Sequence, residues 1–109
     1  MYTESRIVVR VNLDFEKVPE TITWEAPEAG FPQARRADAM MLSFWDPKER
    51  NTLRLDLWTK DMTVDDMKQF VYQGILLLSE TLENATGEKE MAAHMRAFAR
   101  WYAEQYGFA

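Results

Sequence analysis

The run Ala39–Lys68 constrains this chain more than any other segment, because it reads as a β-hairpin running directly into a capped amphipathic helix. Leu53, Leu55 and Leu57 alternate with Arg54, Asp56 and Trp58, the period of two expected when side chains point to opposite sides of a strand. Pro47-Lys48-Glu49-Arg50 forms the turn, with proline at the first loop position, where its fixed φ is favoured. If Asp46 faces Asn51, then Phe44 faces Leu53, Leu42 faces Leu55 and Met40 faces Leu57, which gathers six apolar residues on one face. The opposite face carries Met41, Trp45 and Trp58 beside Arg54 and Asp56. That is unusually aromatic for a surface open to water.

Two further strands are expected upstream. Ile7, Val9, Val11 and Leu13 alternate with Val8, Arg10, Asn12 and Asp14, and after a turn ending at Pro19 the segment Glu20–Ala26 places Ile22 and Trp24 on one face. Two prolines and a glycine within Pro27–Pro32 predict a loop, and Gln33–Asp38 suits either a helical turn or an irregular edge. Downstream, Thr63 reads as an N-cap with Asp66 three residues on, and Asp61, Asp65 and Asp66 suit the positive end of a helix dipole. The helix from Val64 to about Asn84 presents a broad apolar arc that includes Met67, Phe70, Val71, Ile75, Leu78 and Leu82. Gly74 lies within that arc and reads as a site of close packing, and Gly87 as a left-handed cap. A last helix, Glu88–Tyr106, is expected to bury Met91, Met95, Phe98 and Tyr102. The sum is an α+β fold: a four-stranded antiparallel sheet followed by two helices packed on the face with Leu53, Leu55 and Leu57, in the order ββββαα.

One domain, residues 1–109, is expected from the length. Hydrophobic residues at 47% are enough for a core without staples, and the absence of cysteine removes disulfides and thiolate metal sites. A net charge of −5 argues against nucleic acid and anionic membrane surfaces as partners. Met1–Arg6 does not resemble a signal peptide and no apolar run reaches membrane-spanning length, so no membrane insertion and a cytoplasmic location are expected.

Little catalytic chemistry is on offer. His94 is the sole histidine, the four glycines are too dispersed for a phosphate loop, and Ser5, Ser43 and Ser79 lack the context of an activated nucleophile. The basic stripe Lys89, Arg96 and Arg100 is interrupted by glutamates and reads as a solvated helix face. No catalytic residue, metal site or cofactor is expected. The candidate site is an interface: Met41, Trp45, Arg54, Asp56 and Trp58. Three occupants suit that face: the chain's own Pro27–Asp38 segment, a second copy or partner protein, and a small molecule.

Three segments carry a resemblance. VPETITWEA at Val18–Ala26, AMMLSFWDPKERNTLRLDLWTKDMTVDDMKQF at Ala39–Phe70 and ATGEKEMA at Ala85–Ala92 resemble the gliding-motility GldC family. The similarity covers nearly the whole chain apart from the first residues and Pro27–Asp38, and Asn51–Met62 is its most specific part. It implies a non-enzymatic accessory role in the surface movement of Bacteroidetes and relatives, with a protein of the motility machinery as partner and no catalytic residue or cofactor. The order of elements also resembles that of the SecB export chaperone, which makes a chaperone-like or small-ligand-binding module the alternative.

Overall fold

A computed structural model describes residues 3–108; part of the reading of the N-terminal segment therefore lies outside the described residues. The chain divides into two compact units, Met1–Met62 and Thr63–Ala109.

The first unit contains five strands: β1 (Val8–Leu13), β2 (Pro19–Ala26), β3 (Phe31–Ala37), β4 (Ala39–Asp46) and β5 (Asn51–Trp58). They form two antiparallel sheets, β1-β2-β3 and β4-β5, instead of the single four-stranded sheet expected. The difference originates in Pro27–Asp38, read as a loop through Pro32 and beyond it as a helical turn or an irregular edge. Pro27 opens a short 3-10 turn over Pro27–Ala29, and Gly30 ends it in the left-handed region at φ 90°. The chain then returns as β3, pairing Ala26 with Phe31, Trp24 with Arg35 and Ile22 with Ala37. Pro32 is tolerated there because β3 is an edge strand.

The three-stranded sheet has two unlike faces. On one, Val9 and Val11 stand opposite Trp24 and Ile22, with Ile22 only 1% exposed and Ala26 also buried. The Trp24 and Phe31 rings lie 5.0 Å apart between centroids, and the Arg35 guanidinium sits over both at 5.9 and 5.4 Å. The other face is polar: Arg10 pairs with Glu25 at 2.5 Å, and Asn12 Nδ2 donates to Thr21 Oγ1 at 2.8 Å.

Asp14 organises the turn between β1 and β2. Its Oδ1 accepts from the backbone N–H groups of Glu16 and Val18, and its Oδ2 accepts from Lys60 Nζ at 2.9 Å. The Lys60 ammonium, with help from those two N–H groups, holds the Asp14 carboxyl below the usual range, and Asp14 in turn raises the Lys60 ammonium. Near the junction of the two sheets, Thr59 is buried and its N–H donates to the Asp38 carbonyl at 2.8 Å, while Arg36 pairs with Asp38 and Asp61.

The second unit is a helical hairpin, α1 (Val64–Thr86) and α2 (Lys89–Tyr106). Its caps follow the sequence reading. Thr63 Oγ1 accepts from the Asp66 N–H at 3.0 Å, and Gly87 closes α1 at φ 76° with its N–H on the Glu83 carbonyl. The buried residues do not follow it. Ala92, Ala99 and Ala103 of α2 and Ser79 of α1 are lost from solvent, whereas Met91 and Phe98 are exposed and Met95 and Tyr102 only half-buried. The fully buried positions of the hairpin are held by small side chains, and the longer ones keep part or most of their surface exposed. Val64, Leu77 and Leu78 of α1 are likewise exposed. Gly74 is no close-packing site, since a Cβ there would meet nothing within 4 Å. Toward the end of α2, Tyr72, Phe98, Tyr102, Tyr106 and Phe108 form an aromatic cluster. The Tyr102 hydroxyl donates to the Lys68 carbonyl at 3.0 Å, and burial, then Tyr106, pushes its pKa up.

Candidate interaction surface on the two-stranded ribbon

The expected register of β4 and β5 is the one observed: Phe44 opposite Leu53, Leu42 opposite Leu55, Met40 opposite Leu57 and Asp46 opposite Asn51. The turn that sets it is built from local hydrogen bonds. Asp46 Oδ1 accepts from the Lys48 and Glu49 N–H groups, the Arg50 N–H donates to the Asp46 carbonyl at 2.8 Å, and Arg50 takes a left-handed φ of 56°. A four-residue loop of this kind leaves no freedom for slippage by one residue, which would exchange the two faces.

All five candidate interface residues therefore stand on one face. Met41 is opposite Asp56, Ser43 opposite Arg54, Trp45 opposite Thr52, and Trp58 opposite Ala39. Trp45 is 59% exposed and Trp58 55%, one near each end of the ribbon, with Met41 also exposed. Between them the Arg54 guanidinium meets the Asp56 carboxylate in two contacts, the shorter 2.8 Å. Arg50 adds a cation 5.9 Å from the centroid of Trp45. The Pro27–Asp38 segment, one of the occupants expected for this face, is partly β3 and is bonded to β2.

The leucine face is open too. Leu55 is 58% exposed, Leu53 and Phe44 are more than half exposed, and Met40, Leu42 and Leu57 are half-buried. The expectation of a buried leucine face is thus met only in part, toward the end away from the turn. A ribbon two strands wide has little apolar area to share between its own strands, so most of each side chain remains in reach of water. Sequence reasoning found the aromatic face and missed the openness of the other.

Other features offer less chemistry. Two open clefts of about 350 and 340 Å³ lie on the helical hairpin, and Leu76 and Arg96 border both. Arg96 donates to Glu83 at 3.2 Å. Among the described residues no three His, Asp or Glu side chains are grouped as metal ligands, and no helix is long and apolar enough to cross a membrane.

Comparison with curated proteins and with solved structures gave no match. A family model does match, over residues 19–107, and its description is gliding motility-associated protein GldC-like. The match begins at β2 and runs through the ribbon and both helices, taking in every candidate interface residue. With most of its length so matched, the chain belongs to the GldC-like family, a family associated with gliding motility.

Proposed function

We propose that this chain is a non-enzymatic accessory protein of gliding motility that works by protein–protein contact through Met41, Trp45, Arg54, Asp56 and Trp58. The observation that carries the proposal is two indoles, each more than half exposed, on one face of a single ribbon. Indoles bury large areas on docking and keep an N–H for a hydrogen bond, which is why they concentrate binding energy at interfaces. The Arg54–Asp56 pair between them would orient a partner, since a misplaced surface would leave its charges unmatched. Family membership supports the process, and the partner is a protein of the motility machinery.

The test is a double variant, Trp45→Ser with Trp58→Ser, introduced into the native host. Unchanged far-UV circular dichroism with loss of colony spreading and of a co-purifying motility protein is the expected outcome. Normal spreading with a folded variant would refute the role of this face. Wild-type binding to unfolded polypeptide, without capture of any motility protein, would favour the chaperone-like reading instead.

A further inference from the structure

We propose that β5 is the seam of a homodimer, pairing antiparallel with β5 of a second copy about a two-fold axis through Leu55. This needs neither indole of the aromatic face: the pairing runs along the edge of the ribbon, although Arg54 and Asp56 lie on that face and serve both readings. In the described chain β5 is bonded to β4 alone, so its other edge presents a row of unpaired backbone donors and acceptors. A lone two-stranded ribbon is marginally stable in water, whereas joining two ribbons gives a sheet of four strands.

The sequence of β5 says which surface fits that edge. Leu53-Arg54-Leu55-Asp56-Leu57 is self-complementary about its centre, with leucine mirrored by leucine and arginine by aspartate. A two-fold through Leu55 sets Leu55 against its own copy, Leu53 against the second Leu57, and Arg54 against the second Asp56. Every apolar residue of the leucine face then meets leucine, and each charge meets its opposite. Within one chain Arg54 and Asp56 already lie 2.8 Å apart on the same face. The two-fold assembles two such pairs into a square of alternating charge. Directly opposed pairs of this kind stabilise a sheet, and like charges in the same position destabilise it. An interface in which the same patch serves both partners is the usual geometry of a two-fold dimer.

The other edges are not suited to this. Self-pairing about the middle of β1 would bring Arg10 close to its own copy. The edge of β3 carries Pro32, which has no N–H to donate, and the neighbouring cations Arg35 and Arg36. The free edge of β4 has no charge within Ala39–Trp45 to select a register.

The test uses two charge-reversed chains. Asp56→Arg alone places arginine against arginine twice across the two-fold, and Arg54→Asp alone places aspartate against aspartate. Each should dimerise roughly tenfold or more weakly than the wild type, read by sedimentation equilibrium. Mixed together they should associate again, because the arginines of one chain then face the aspartates of the other; recovery on mixing also shows that both are folded. As a second readout, Leu55→Cys in this cysteine-free chain should form a disulfide-linked dimer readily, since the two residues would be about 4.5–5.5 Å apart. Leu53→Cys, which faces Leu57, should lag well behind. A monomeric wild type, variants that dimerise as well as the wild type, or no recovery on mixing would each overturn the proposal. If the tryptophan variant dissociates while both charge variants remain dimeric, copies meet through the aromatic face and the β5 seam is wrong.

Discussion

The two sheets of the first unit are built from similar strands and shield their apolar side chains to different degrees. In β1-β2-β3 the polar face satisfies itself through Arg10–Glu25 and Asn12–Thr21, and the apolar face tucks Ile22 away and roofs Trp24 and Phe31 with Arg35. Its edges carry Arg10 on one side and Pro32, Arg35 and Arg36 on the other, which are features that discourage further pairing. The β4-β5 ribbon has an ion pair, Arg54–Asp56, and a cation beside Trp45, yet its large side chains stay more exposed. Indoles stand on one face and leucines on the other, and the charges on β5 complement one another along its free edge. Strand sequences of similar hydrophobicity can thus differ in how far they bury their apolar side chains: Ile22 is 1% exposed and Leu55 58%.

The largest single effect should fall on the three-stranded sheet. Ile22→Ala removes a side chain that is 1% exposed and should cost about 2–5 kcal/mol in denaturant unfolding, whatever the protein concentration. In the ribbon, Leu55→Ala begins from a side chain 58% exposed and should cost the isolated chain about 1 kcal/mol, with a further loss that grows at concentrations where copies associate. A concentration-independent loss at Leu55 as large as that at Ile22 would remove the contrast between the sheets.

Gly74→Ala marks a reference level outside both sheets. With nothing within 4 Å of the added Cβ, the variant should gain about 0.5–1 kcal/mol from helix propensity, seen as a higher Tm. A lower Tm would restore the close-packing role that the apolar arc suggested.

The smallest effect concerns the Asp14–Lys60 contact, between the β1-β2 turn and the residue two positions beyond β5. The Asp14 pKa is lowered on folding, so its contribution is present above the ordinary carboxylate value and fades as pH falls through the folded value. The Lys60 pKa is raised, so its contribution is full below the ordinary lysine value and is lost as pH rises through the folded one. Comparing wild type with Lys60→Met across pH should show a difference on a plateau between about 4 and 10 that shrinks at both ends. A difference independent of pH would remove the ion pair as its cause.

How much of this was legible in the sequence depended on whether the determining contacts were local. The register of the ribbon was readable, though not the exposure of its leucines, because the spacing of Leu53, Leu55 and Leu57 and the Asp46–Asn51 loop determine pairing within twenty residues. The caps at Thr63 and Gly87 were readable for the same reason. The strand β3 was not: Phe31–Ala37 lacks apolar alternation, contains a proline, and becomes a strand only through pairing with β2. The helical hairpin misled in another way. Hydrophobicity pointed to Met91 and Phe98, but the buried positions of α2 went to Ala92, Ala99 and Ala103, whose small size was the overlooked signal. As for the site, alternation placed Met41, Trp45, Arg54, Asp56 and Trp58 together correctly. The self-complementarity of β5 was equally visible, yet it had no meaning until the edge beside it was seen to be free.

Amide hydrogen exchange tests the contrast between the two sheets most directly, because it reports each strand separately. At concentrations favouring association, the account predicts strong protection throughout β2 and β5, and weaker protection on the outer edges of β1 and β3. In Asp56→Arg, β5 should lose protection at alternate amides while β2 keeps its own. Alternate amides of β5 exchanging as fast in the concentrated wild type as in Asp56→Arg would contradict the account.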